Sequence, residues 1–220
     1  VERTDLSVIE RHMKSLGINA KTCKSLDAAL QFADASILGL TKSSGRFDSV
    51  LEFLEIPQEL RSRIKDRWKN GKPSLNVFSP YVAYVLRVQL FFMAALGANL
   101  IASTRPSNSI DIAYLFYLPF CTLFVSTDRL HRACASYFMR QNQEFVWGDD
   151  LKMDLRALNE HYLSLPDEVR SQGVYKFASR LPNESNGIIR ALFQRHAAGL
   201  LKPPSEINAE NLTPDNHKKI

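Results

Sequence analysis

The segment 110–131, IDIAYLFYLPFCTLFVSTDRLH, constrains the fold of this chain more than any other. Asp111 stands at the start of an apolar helical stretch. Pro119 ends that stretch, because its ring removes a backbone donor and clashes with the preceding turn. The run 122–125 that follows is short and apolar, which predicts a buried strand. Asp128 falls where that strand ends. Helix, proline break and buried strand in this order suit an α/β layer arrangement, whose sites lie beyond the C-terminal ends of the strands. Two carboxylates, one opening a helix and one following the next strand, can then converge on a single cation.

The rest of the chain is mainly helical by pattern. Helices are expected at 6–16, stopped by Gly17, and at 26–38, with Ser25 as N-cap and Gly39 as stop. A basic loop, 42–46, leads to a short helix 47–54 and a polar, basic helix 57–69. Asn70-Gly71-Lys72-Pro73 is a turn. Residues 75–78 are read as a short strand. Ser79-Pro80 opens a long apolar helix to about residue 96, and proline at the first helical position favours that start. A second short strand is placed at 99–103 and a polar loop at 104–109. Beyond Asp128 follow a helix 129–138, a short apolar run 145–147, and an amphipathic helix 151–163 preceded by Gly148-Asp149-Asp150. Residues 166–180 are mixed, and a last helix spans 188–201. The polar stretch 203–220 is expected to be a flexible tail. The expectation is one helix-rich α/β domain, 1–202, with three layers and a small parallel sheet. It carries a helical insertion at about 17–72 and a C-terminal helical extension from about 149.

Composition narrows the class. With 45% hydrophobic and 23% charged residues, the 220-residue chain has the balance of a soluble domain with a real core. The formal net charge of +5 favours a polyanionic partner. The three cysteines, Cys23, Cys121 and Cys134, form no CxxC pair, which fits reduced thiols in a cytoplasmic protein. Two stretches, 81–102 and 110–125, raise a membrane question. Arg87 and Gln89 interrupt the first, and Asp111 and Pro119 the second, so both are read as core rather than as spans.

The Asp111 to Asp128 spacing, with Ser126-Thr127-Asp128 at the strand end, resembles the last two acidic positions of PIN-like nucleases. The resemblance covers residues 99–147, and more loosely Asp5-Leu6-Ser7-Val8-Ile9. That stretch is similar to the family's early aspartate at the end of strand one, which would make residues 1–4 the remainder of that strand. Glu52 fits the family's fourth acid if the middle helix is 47–54. If it is instead the helix after Pro80, Arg87 and Gln89 occupy the inward positions and no carboxylate does.

The resemblance implies a Mg²⁺- or Mn²⁺-dependent ribonuclease. Asp5, Asp111 and Asp128 would act as catalytic metal ligands, joined by Glu52, and a metal-bound water would attack the RNA phosphodiester. It also implies nucleic-acid contacts from Arg105, Thr127, Arg129 and His131, and a homodimer, since many relatives pair. Each acid has a plainer role as well. Asp5 and Asp128 stand at N-cap positions, Asp111 in a first helical turn, and Glu52 on a solvated face. His131 fits equally the surface of a basic helix with Arg129 and Arg132.

Two other readings stay open. One is a catalytically inactive nucleic-acid- or protein-binding module on the same fold. The other is a metal-independent HEPN-type ribonuclease, from the pairs Arg156/His161 and Arg190/His196. That reading requires a helical bundle, whereas the PIN-like reading requires a parallel sheet at the Asp128 edge. The basic helix 57–69 carries Trp68 among its charges, a pattern that serves single-stranded nucleic acid or merely a solvated face.

Overall fold

A computed structural model describes residues 5–178, 180–183 and 185–201. The expected first-strand remainder 1–4 and the tail 203–220 lie outside the described residues. The chain divides into two compact units, Val1–Phe145 and Val146–Ile220.

The first unit is built from α1 (Leu6–Ser15), α2 (Leu26–Leu40), α3 (Ser44–Phe53), α4 (Gln58–Lys69), α5 (Leu75–Phe78), α6 (Pro80–Gly97), α7 (Asn108–Tyr114), β1 (Leu123–Ser126) and α8 (Arg129–Cys134). Strand β2 (Glu144–Trp147) pairs with β1 in a two-stranded parallel sheet and contains the boundary between the units. The fold is thus helix-rich α/β with a small parallel sheet. The second unit continues with α9 (Gly148–Leu163), α10 (Asp167–Arg170), α11 (Val174–Phe177) and α12 (Ile188–His196).

Helix α6 organises the first unit. By length and composition it could cross a membrane, but half of it is buried within the fold. Its C-terminal half, with Val88, Phe91, Phe92 and Leu96, lies in a core with Leu6 and Met13 of α1 and Ala29 and Ala33 of α2. Ile112, Leu115 and Leu118 join the same core. The alanines, four residues apart, keep one face of α2 low enough for α6 to approach closely. Gly97 does the same at the end of α6, where a Cβ would lie 2.6 Å from Met13 Cβ and 2.8 Å from the Ile18 carbonyl. The N-terminal half of α6 contributes Ala83 and Leu86 to a second cluster, with Phe47, Val50, Leu51, Trp68 and Leu75.

Four local readings change. Residues 75–78 form a helical turn, because Val77 and Phe78 N–H both bond the Ser74 carbonyl rather than a neighbouring strand. Residues 99–103 close the end of α6 instead of pairing as a strand. Asn99 takes the left-handed conformation at φ 58°, and Leu100 N–H folds back to the Ala95 carbonyl. Asparagine tolerates that region better than most side chains. Helix α3 starts inside the expected basic loop, where Ser43 Oγ accepts from Arg46 N–H at 3.3 Å. Trp68 is buried, stacks on Phe47 at 4.7 Å between centroids, and donates its indole N–H to the Pro73 carbonyl, so it offers no open face to a nucleobase.

Candidate functional site

The two acids that the helix–proline–strand segment singles out are joined by one histidine. Asp111 lies half-buried in the first turn of α7. Buried Asn108 steadies that turn by donating from Nδ2 to the Ala102 carbonyl at 2.8 Å. Asp128 follows β1 as the N-cap of α8, and its Oδ1 accepts from the N–H groups of Leu130 at 2.6 Å and His131 at 3.3 Å.

His131 is only 6% exposed. Its Nε2 lies 2.6 Å from the Asp111 carbonyl oxygen and its Nδ1 lies 2.7 Å from Ser126 Oγ. A carbonyl only accepts, so Nε2 donates to it, and in the neutral imidazole Nδ1 then accepts from the serine hydroxyl. Ser126 Oγ in turn accepts from Asp128 N–H at 3.0 Å. The rings of Tyr114 and Phe124 meet the imidazole edge-on, at 5.8 and 5.1 Å between centroids. The start of α7 and the β1–α8 junction are therefore fixed to each other through a hydrogen-bonded network around the buried imidazole. His131, expected at the surface as a nucleic-acid contact, is inside because both ring nitrogens find partners there.

The other expected ligands stand apart from this junction in role. Asp5 is exposed and caps α1, with Oδ1 accepting from Ser7 N–H at 3.0 Å; the bonds from Ser7 hold its carboxyl below the usual range. Glu52 is exposed on α3, whose buried face packs in the second cluster. Arg105, Thr127 and Arg129 are exposed, Arg105 in the loop before α7 and the other two beside Asp128. Among the described residues, no three His, Cys, Asp or Glu side chains group in a way that could hold a metal ion.

Sequence reasoning overlooked Glu10. On α1, it receives bonds from Lys14 and from Ser103, which tie α1 to the approach to α7 and hold its carboxyl below the usual range. Its four-residue spacing from Lys14 was the available signal. Cys134, buried at the end of α8, has its thiol pushed up to about 12, first by burial and then by the charge of Asp128.

The HEPN-type pairs lie on α9 and α12. Arg156 and His161 are exposed on α9. Arg190 on α12 spends its guanidinium on the carbonyls of Pro182, at 2.6 Å, and Ser185. Neighbouring Asp154 of α9 accepts from Ile189 N–H at 2.7 Å and so closes the start of α12.

Comparison with protein-family models, with curated proteins and with solved structures yields no match.

Proposed function

We propose that this chain is a PIN-like domain that binds RNA without hydrolysing it. The carrying observation is the state of the acidic edge. Asp128 uses Oδ1 to close α8, Asp5 caps α1, and no third carboxylate joins Asp111 and Asp128 among the described residues. The parallel β1–β2 pair beside Asp128 supports the PIN-like reading over the helical-bundle HEPN alternative. The excess positive charge supports a polyanion as partner.

A second reading, Mg²⁺- or Mn²⁺-dependent hydrolysis of RNA, draws on the His131 bridge. That bridge holds Asp111 and Asp128 at the C-terminal end of a parallel strand, where α/β sites occur. Asp111 and the second oxygen of Asp128 would be the groups to hold the cation.

Binding of labelled single-stranded RNA, followed with Mn²⁺ and with EDTA, separates the readings. Equal binding in both conditions and intact RNA support the binding domain. RNA cleavage that needs Mn²⁺ and disappears in Asp111→Asn and Asp128→Asn would replace it with the hydrolase.

A further inference from the structure

At the N-terminal ends of β1 and β2, away from the acidic edge, the first unit carries a cleft of about 460 Å³. That volume lies in the range of ligand-binding cavities. Tyr81, Tyr84 and Arg87, three residues apart on α6, form one wall, and Phe120, Phe138 and Arg140 complete it.

The polar groups of its floor are already committed. Tyr84 donates its hydroxyl to the Leu115 carbonyl at 2.7 Å, and Tyr81 donates to the Phe116 carbonyl at 3.3 Å. Burial raises the Tyr84 phenol well above its ordinary value, so it stays a donor to Leu115 across the working pH range. What the cleft presents to a visitor is ring surface. Phe120 is 72% exposed and Tyr81 43% exposed, with their centroids 5.1 Å apart.

The charge of the cleft has one sign. No aspartate or glutamate lines it. Arg87 is neutralised by a two-pronged pair with Asp34 and lies over the Phe138 ring at 5.5 Å. Arg140 is exposed; its guanidinium donates from Nη2 to the Pro119 carbonyl at 2.8 Å, and no carboxylate among the described residues pairs with it. An exposed ring face, that of Phe120 with Tyr81 inclined against it at 57°, beside an uncompensated guanidinium matches a nucleobase joined to a phosphate. Bases of any identity stack on aromatic rings, and arginine holds phosphate through a fixed fork of donors.

We infer that this cleft binds an unpaired nucleotide of single-stranded RNA, with its base stacked on Phe120 and flanked by Tyr81, and its phosphate on Arg140. The inference rests on the RNA-binding reading and gives it a place distinct from the Asp111–Asp128 edge.

Fluorescence anisotropy of a labelled oligouridine, in EDTA, tests it. Phe120→Ala should weaken binding about tenfold, and Phe120→Trp should restore it. Arg140→Gln should weaken binding and lower the salt dependence by about one phosphate contact, while Arg140→Lys keeps the salt dependence. Phe120 and Arg140 are exposed, and unchanged urea midpoints confirm that the variants fold. Parent-like binding by both Phe120→Ala and Arg140→Gln would overturn the cleft assignment and leave the RNA-binding reading standing. A parent protein that binds no oligouridine would overturn both. Uridine monophosphate serves as the competing ligand. Competition only at far higher concentration than the oligomer supports a strand; equal potency would overturn the strand in favour of a free nucleotide.

Discussion

His131 shows how one side chain joins two elements. Its ring answers the Asp111 carbonyl on one side and the Ser126 hydroxyl on the other, inside an aromatic pocket. His131→Ala leaves a void and deprives a part-buried carbonyl and hydroxyl of their partners, so it should cost about 2–4 kcal/mol in urea unfolding. His131→Gln should recover part of that loss, because its amide can donate to the Asp111 carbonyl. The cysteines give a chemical readout at the same scale. Burial raises the thiols of Cys23 and Cys134, whereas Cys121 is half-buried. Alkylation of the folded protein at neutral pH, mapped by mass spectrometry, should modify Cys121 first and the other two only on unfolding. Glu10 governs part of the acid response. Bonds from Lys14 and then Ser103 lower its folded value, so the unfolded chain binds that proton more readily. Its stabilisation is therefore present above the ordinary glutamate value of 4.5 and is lost as pH falls through the lowered one. Glu10→Gln should flatten that part of the acid limb when urea midpoints are compared from neutral pH downward.

At the scale of elements, close approach and capping decide which helices can pack. The end of α6 meets α1 at Gly97, and a methyl group there would collide with Met13 and with the Ile18 backbone. Gly97→Ala improves helix propensity by up to about 1 kcal/mol, but backbone cannot yield as a flexible side chain does. The overpacking should dominate, and a net loss of about 1–3 kcal/mol is expected in thermal or urea unfolding. In the second unit, Asp154 closes the start of α12 by accepting from Ile189 N–H. Asp154→Ala should destabilise that unit by about 1 kcal/mol, read as earlier proteolysis around α12. Position 187 has no room for a side chain either, since a Cβ there would lie 1.8 Å from Asp154 Oδ1. Local pattern announces the serine caps of α2 and α3 unequally: Ser25 is legible before a clear apolar period, while Ser43 is hidden in a stretch that reads as loop. The helical turn at 75–78 was misread for a related reason. Leu75, Val77 and Phe78, shortly before Pro80, suit a strand or a turn, and only the neighbours that the fold brings alongside decide between them.

For the molecule as a whole, the segment 110–131 carried the architecture. Its short apolar run placed the strand, which the structure has as β1, whereas the α-helix already ends at Tyr114 and Pro119 sits within the 3-10 turns Leu115–Phe120 that lead to the strand. The paired strand β2 was visible only as an apolar run, since a parallel partner sits beyond an intervening helix. The positions of Asp111 and Asp128 at that edge were legible in the same way. Their chemistry was not, because a carboxylate at an N-cap and a carboxylate at a metal look identical in one dimension. The sequence by itself determined the helix-rich pattern, the helix–proline–strand unit, the excess of positive charge and the caps at Asp5, Ser25 and Asp128. These follow from local periodicity, proline geometry and side-chain reach within a few residues. Only the tertiary structure decided that His131 is inside, that Trp68 is core, and that Tyr81, Phe120 and Arg140 share one cleft. Each of those depends on which distant residue lies opposite, and burial, hydrogen-bond saturation and charge pairing are properties of that neighbour as much as of the residue itself.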